Sequence, residues 1–435
     1  MNLSGRRFVT ATLGCKINQY ETQALAEAWQ AAGAMLVAEA DATGGAGPDL
    51  VLVNACAVTA KAVADARNLI RKLHRAHPGA EIVVTGCAAQ VAADELRGLP
   101  GVARLVPQQA KRELLPEGGE LAIRAFPRAR AVLRVQDGCS HGCTYCIVPL
   151  ARGRSVSRPA DEVLAEARRL LASGHRELVV SGVNLRQWGR ELPGAPDFWD
   201  LLARLDAELA PEWAGRARLR LSSLEPAQLG PKALEVMAAA RLLCPHLHLS
   251  LQSGSPAVLR GMGRAHYAPA DVLGFLDRLG SVWPLFGLGA DLLVGFPGET
   301  EAQFEETVAF CRDLPLSYAH VFPYSIRPGT RAAGMPDQVA PPEKKRRAAR
   351  LRGLAARRRQ AFAQRLAGLA ELEVAVQDAG GAGVSQYYAA CRLAPGGWTP
   401  GGLVRARPEG LADGLVLCRM AGPGKGGDEG EDGRP

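Results

Sequence analysis

Ala131-Val132-Leu133-Arg134-Val135 runs through Gln136-Asp137-Gly138 into Cys139-Ser140-His141-Gly142-Cys143-Thr144-Tyr145-Cys146. The apolar, β-branched first part reads as a strand. The loop behind it carries three thiols in CxxxCxxC spacing, with Gly138 and Gly142 giving the backbone room to wrap. A 4Fe-4S cubane normally takes four cysteine ligands, so three leave one iron free to bind another molecule. Zinc is the first alternative. It would want a fourth ligand, which His141 inside the motif could supply, but no paired CxxC follows. A purely structural trio is the other alternative.

Working outward, the same strand-then-helix unit recurs six times over 126–340. The candidate strands are Ala131 to Val135, Glu177 to Ser181, Arg218 to Leu221, His246 to Leu251, Gly287 to Val294 and Ala319 to Tyr324. Helical patterns such as Asp161 to Ala172 and Glu301 to Arg312 separate them. Six units predict an incomplete (β/α)6 version of the eight-unit barrel, with its site at the C-terminal strand ends. Residues 1–125 alternate in the same way: Phe8 to Leu13, Leu50 to Val53 and Ile82 to Thr85 precede helical stretches from Tyr20, Thr59 and about Ala92. That pattern predicts a separate parallel α/β sheet domain. Residues 341–370 form a basic helical linker holding ten Lys or Arg between Lys344 and Arg365. Residues 371–420 turn β-rich over Leu372 to Val376, Val384 to Leu393, Gly402 to Arg407 and Gly414 to Met420, enough for a small C-terminal β-barrel. The Gly-rich, charged stretch 421–435 reads as a disordered tail. The fold class is α/β throughout, except for the β-rich end.

A chain of 435 residues suggests about three domains, each able to bury a core. Ten cysteines are too sparse for a disulfide scaffold and fit a reducing compartment. Neither a signal-peptide core nor an uninterrupted apolar span of membrane length is visible, so a soluble cytoplasmic protein is expected. The net charge of +8 favours a polyanionic partner.

Once the strands are placed, a second cysteine set emerges. Cys15, Cys56 and Cys87 each lie one to three residues beyond one of the first three predicted strands. If those strands are parallel and adjacent, all three thiols reach one sheet edge and could hold a second cluster. Three buried cysteines acting as small hydrophobes are the alternative. Cys244, Cys311, Cys391 and Cys418 share no spacing and read as core.

The CxxxCxxC loop resembles that of the radical S-adenosylmethionine superfamily. The whole pattern is similar to the methylthiotransferases, which carry three N-terminal cysteines, a radical barrel and a small RNA-binding TRAM domain. Thr12-Leu13-Gly14-Cys15-Lys16-Ile17-Asn18-Gln19-Tyr20-Glu21-Thr22 resembles the branch acting on threonylcarbamoyladenosine in tRNA. So do Arg220 to Pro226, Cys244 to Leu249, Gln252 to Ser255 and Gly295 to Thr300. Two segments depart from the pattern. Gly289-Ala290-Asp291 replaces a common Thr-Thr-Asp, and Val384 to Tyr388 only loosely matches the aromatic segment of the C-terminal domain.

The resemblance implies two 4Fe-4S clusters and S-adenosylmethionine as cofactors. The cluster on Cys139, Cys143 and Cys146 would bind S-adenosylmethionine and give a 5′-deoxyadenosyl radical that takes hydrogen from C2 of adenine. The cluster on Cys15, Cys56 and Cys87 would hold the sulfur species. Tyr145 would lie along the cofactor adenine, with core packing as its alternative. Asn184, Glu225 and Gln252 would meet ribose or the methionine moiety, with an ordinary cap or loop hydrogen bond as the alternative for each. Backbone at Phe296 would approach the adenine. Arg152, Arg154 and Arg158 would contact cofactor or RNA phosphate and the basic linker the tRNA backbone, or these charges simply face solvent. The implied partners are the anticodon stem-loop of tRNA and an electron donor such as flavodoxin or ferredoxin, with no membrane and a monomeric state. Isopentenyladenosine or a ribosomal protein side chain is the alternative substrate. A non-catalytic iron-sulfur RNA-binding regulator is the alternative from another class.

Overall fold

The computed structural model describes residues 3–37 and 47–421, so the tail predicted to be disordered lies outside them apart from Ala421. The first sheet has five parallel strands, β1 (Arg7–Leu13), β2 (Met35–Leu36), β3 (Leu50–Ala55), β4 (Glu81–Thr85) and β5 (Val102–Leu105), in the order β2-β1-β3-β4-β5. β3 is buried along its whole length, as its unbroken apolar run requires of a strand covered on both faces. The helices Lys16–Ala31 and Ala60–Ala76 return the chain between strands. The second starts where Thr59 accepts a hydrogen bond from the Ala62 amide. β2 and β5 were not foreseen. One has two exposed residues and the other three half-covered and one exposed, too little apolar pattern to register.

The central wall runs through β6 (Arg130–Arg134), β9 (Glu177–Ser181), β10 (Arg218–Leu221), β11 (Ser223–Leu224), β12 (His246–Gln252), β13 (Gly287–Val294) and β14 (Tyr318–Pro323), with a short pair, β7 (Gln136–Asp137) and β8 (Val156–Ser157), folding the cysteine loop back. β10 pairs with β9 and β11 with β12, so one strand broken at Ser222 joins two parallel sheets into the six-unit open barrel. Helix starts are fixed locally: Asp197 and Thr300 each form a capping box, before Phe198–Trp213 and Glu301–Asp313.

β15 (Leu372–Val376), β16 (Ala382–Ser385), β17 (Ala390–Leu393), β18 (Leu403–Ala412) and β19 (Leu415–Met420) close a small barrel in the order β15-β16-β17-β19-β18. The single strand expected over Val384 to Leu393 is divided by a turn at which Tyr388 takes φ +66. The turn enters the N-terminal end of the open barrel, where Tyr388 meets His246 at 4.8 Å between rings and lies under the Arg130 and Arg220 guanidinium groups. Arg218 donates to the Glu373 and Val384 carbonyls, and Arg220 to those of Ser385 and Gln386. Both arginines also pair with the fully buried Glu177. The cations and the carbonyl-rich turn satisfy each other, which seals that end of the barrel.

The basic helix, Pro341–Ala367, lies along β14 as a strut. Arg346 reaches Glu301 at 2.5 Å, Arg347 reaches Glu299 at 2.9 Å, and Arg350 pairs with Glu305. Much of the charge expected to face phosphate therefore fastens the helix to the barrel. Lys345, Arg357, Arg359 and Arg365 form no ion pair among the described residues. No helix of the described residues is long and apolar enough to cross a membrane.

Candidate active site

Cys139, Cys143 and Cys146 lie in one loop at the C-terminal end of β6. The loop is tied to the barrel by Thr144, whose amide bonds to the Met262 carbonyl and whose hydroxyl bonds to that of Gly261. The Cys139 amide bonds to the Gly153 carbonyl, so the loop closes on the chain that leaves it. Two of the three sulfurs have a polar side chain beside them. Asn184 Nδ2 is 3.5 Å from Cys139 Sγ, and Arg264 Nη1 is 3.8 Å from Cys143 Sγ. Burial pushes the Cys146 thiol up to about 12 and also raises the Cys143 thiol. A metal centre that binds thiolate would reverse both shifts. His141 and the three thiols do not converge as a metal-ligand group among the described residues. Its ring sits 4.5 Å from that of His266, and its Nδ1 is 3.9 Å from Cys143 Sγ.

The second set forms on the first sheet. Cys15 follows β1, Cys56 follows β3 and Cys87 follows β4, and the parallel order β1-β3-β4 brings their ends side by side. Gly14 permits the approach: at φ +140, a Cβ there would stand 2.9 Å from the Cys56 Cβ. Gly86, at φ +96, passes so close to Ala55 that a Cβ would meet its amide nitrogen at 2.7 Å. Cys15 is exposed and Cys87 buried, with burial pushing the Cys87 thiol up to about 11.

Beneath these thiols is a polar network that the sequence did not announce. Glu21, buried, takes Lys111 Nζ at 2.6 Å and Arg152 Nη1 at 3.0 Å. Although burial alone would raise the Glu21 carboxyl, these two cations hold it well below the usual range. Asn18 joins from the same helix, accepting from Cys15 Sγ at 3.2 Å and donating to Asn54 at 3.0 Å. Arg152 comes from the helix Val148–Arg152, directly behind the other cysteine loop, and also pairs with Asp137 at 2.8 Å. One guanidinium therefore fixes the two cysteine sets relative to each other. This corrects the phosphate-binding expectation for Arg152, and for Arg158, which pairs with the buried Glu166 at 3.0 Å. Of the three arginines only Arg154 is exposed.

The remaining predicted residues gather around the barrel mouth. Asn184 is buried, and its Oδ1 has no partner. Glu225 receives two bonds from Arg264, at 2.9 and 2.7 Å, and one from His266 at 3.4 Å. Burial opposes its charge, but these donors hold the carboxyl down at about 2. Arg264 has no signal in the sequence, since a lone arginine after a helix carries no pattern. Gln252 ends β12 at φ +67, a left-handed conformation that is uncommon for a residue with a Cβ. Tyr145 packs against a small cluster containing Phe296, Met262 and Tyr324, in which the Phe296 side chain is buried. The sequence also missed the polar lumen: ligand atoms of His248, Asp291 and His320 lie within 4.8 Å of one another.

Residues 133–311 match the Radical SAM superfamily, and residues 7–107 match a family described as Uncharacterized protein family UPF0004. The fold resembles the radical S-adenosylmethionine methyltransferase TsrM from Kitasatospora setae, with TM-score 0.55 and 15% identity over 75% of this chain and 77% of that one. Open barrel and three-thiol loop together define a radical S-adenosylmethionine protein, a class that implies S-adenosylmethionine and a 4Fe-4S cluster. Threonylcarbamoyladenosine tRNA methylthiotransferase MtaB of Bacillus subtilis is 36% identical over 363 residues, covering 78% of each chain. The Thermotoga maritima protein of the same name is 33% identical, covering 77% of this chain and 79% of that one. A tRNA-2-methylthio-N(6)-dimethylallyladenosine synthase of Cereibacter sphaeroides is 34% identical, covering 92% of this chain and 95% of that one. The chain belongs to the radical S-adenosylmethionine tRNA methylthiotransferases and is MtaB-like, an enzyme of tRNA modification.

Proposed function

We propose that the protein installs a methylthio group at C2 of N6-threonylcarbamoyladenosine at position 37 of tRNA, using two 4Fe-4S clusters and two S-adenosylmethionine molecules. The observation that carries this reading is the pair of three-thiol sets at the C-terminal edges of neighbouring parallel sheets, linked through Arg152. Three thiols of one loop and three of one sheet edge each match a cubane with one iron open. When bound, the loop cluster with S-adenosylmethionine supplies a carbon-centred oxidant, and the sheet-edge cluster supplies sulfur.

The chain's own residues position and shield these groups. Asn184 presents an unpartnered buried oxygen beside Cys139, suited to a donor such as an ammonium or hydroxyl. Glu225 and Arg264 set the charge at Cys143. Gln252, left-handed at a strand end and with no side-chain bond among the described residues, is free to meet the cofactor. Arg152 and Lys111 offset the negative charge that three thiolates and a cluster bring to the first sheet. In this reading 1–125 holds the sulfur, 126–340 generates the radical, and 371–420 closes the barrel and contributes to RNA binding. The enzyme acts as a cytoplasmic monomer served by a flavodoxin- or ferredoxin-like electron donor.

The long alignment with the dimethylallyladenosine synthase favours a second reading, isopentenyladenosine as substrate. Mass spectrometry of tRNA nucleosides after reaction of the reconstituted enzyme with each substrate tells the two apart. Methylthiolation of threonylcarbamoyladenosine is expected, and its absence contradicts the proposal.

A further inference from the structure

The lumen of the open barrel is a cavity of about 140 Å³ with an uneven charge. Lys16, Arg130, Arg220 and three histidines line it, against a single carboxylate, Asp291. Most of these groups are already engaged. Arg220 is spent on Glu177 and two carbonyls, and Arg130 Nη1 stands 3.5 Å from Glu177. Asp291 Oδ1 is 3.1 Å from His248 Nε2, and His248 Nδ1 is 2.9 Å from the Tyr318 hydroxyl. His246 Nε2 is 3.0 Å from that same hydroxyl. Besides the unpartnered Ser222 hydroxyl and His246 Nδ1, two exposed groups remain available. Lys16 is exposed at the start of its helix and forms no ion pair among the described residues. His320 is exposed on β14, and its ring has only ring contacts. Partial desolvation of the ring on its lumen side, then the neighbouring His248 and, less, Lys16, push the His320 imidazole down, so it enters the site as a neutral hydrogen-bonding ring.

A metal ion on His248, Asp291 and His320 is a poor occupant. Both nitrogens of His248 are in use, and a cation would share the cavity with Lys16 and two guanidinium groups. A lumen with one unspent full positive charge calls for an anion. The lining also rejects an aliphatic substituent, which would strip water from these groups without replacing their hydrogen bonds.

We infer that Lys16, assisted by His320, reads a carboxylate carried on the N6 substituent of the target adenine. The inference deepens the function proposed above and rests on it, because the threonylcarbamoyl group ends in a carboxylate and the dimethylallyl group does not. The placement fits the chemistry. Lys16 directly follows Cys15, so the group that grips the substituent and the thiol set that holds the sulfur are adjacent in the chain. C2 and C6 flank N1 of one six-membered ring, so a base held by its N6 substituent presents C2 at short range. Lys16 and His320 act here as specificity-determining residues.

The test uses full-length protein with both clusters reconstituted and two anticodon stem-loops, one carrying threonylcarbamoyladenosine and the other its threonine-amide counterpart. The readout is the ratio of kcat/KM for the two, a within-protein ratio that a general structural defect leaves alone because it lowers both values together. The parent prefers the carboxylate by roughly 10- to 100-fold, mainly through KM, as expected for one charge-assisted contact. Lys16→Met brings the ratio close to one, and Lys16→Arg retains most of it. If Lys16→Met loads less iron than the parent, Lys16→Arg and His320→Phe decide: the first keeps the preference and the second reduces it. An unchanged ratio in Lys16→Met at full iron loading, or in His320→Phe, overturns the inference. A parent that modifies both stem-loops equally well overturns it too, while leaving the proposed function standing. A parent that modifies neither overturns the proposed function itself.

Discussion

Cys139, Cys143 and Cys146 come from eight consecutive residues of one loop, whereas Cys15, Cys56 and Cys87 come from the ends of three strands. In the loop, short-range chain geometry and a few bonds to the Gly261–Met262 backbone hold the sulfurs together. At the sheet edge nothing local does so. The thiols meet because β1, β3 and β4 pair in register, two glycines allow close approach, and Glu21, Lys111 and Arg152 neutralise one another beneath them. The first site should therefore fail by losing a ligand, and the second also by losing its fold.

The largest expected effect separates the two chemically. Cys139→Ala or Cys146→Ala abolishes 5′-deoxyadenosine formation from S-adenosylmethionine and reductant. Cys15→Ala leaves it measurable but drops methylthiolated product to background. Chromatography of both products from one reaction checks this, and loss of both in Cys15→Ala would merge the two sites into one. Next is Glu21→Ala, which leaves Arg152 and Lys111 buried without their counter-charge. It should cost about 3–5 kcal/mol in denaturant unfolding of the first domain. Iron should be lost at the sheet edge more than at the loop. Equal loss at both would mean that the loop set depends on the same network.

A smaller effect concerns pH around the loop. Glu225 is held at about 2, below the 4.5 of a free glutamate, so the folded state binds its proton less readily than the unfolded state. The stability this provides is fully present above about pH 4.5 and is lost as pH falls towards 2, up to roughly 3 kcal/mol. Acid unfolding followed by circular dichroism should show a shallower fall over that window in Glu225→Gln. The smallest effect is kinetic. In iron-free protein at neutral pH, iodoacetamide should label exposed Cys15 before buried Cys87 and before Cys146, whose thiols are pushed to about 11 and 12. Peptide mapping over time gives the order.

The same contrast explains what could be read from the chain. The loop set was visible from spacing alone, and the sheet-edge set became visible once three apolar runs were placed as parallel strands. β9, β10 and β13 have their predicted limits because each runs apolar or alternates with period two between clear breaks. The turn at Tyr388 was hidden because Val384 to Leu393 has strand-forming composition throughout. Only its insertion under Arg130 and Arg220 explains the bend. Arg152, Arg158 and the basic helix were misjudged for a related reason. Charge is plain in sequence, but Glu21 and Glu299, which neutralise it, are far away in the chain, and Glu166 meets Arg158 only across the turn between β8 and the next helix. The polar lumen around Lys16 and His320 draws on several strands and a helix of another domain, so no local motif could display it.

The claim that two separate three-thiol centres exist is tested most directly by iron and sulfide analysis of anaerobically reconstituted protein. About eight irons in the parent and about four in each of Cys139→Ala and Cys15→Ala is the result expected for two independent cubanes. About four irons in the parent, with Cys15→Ala unchanged, would contradict it.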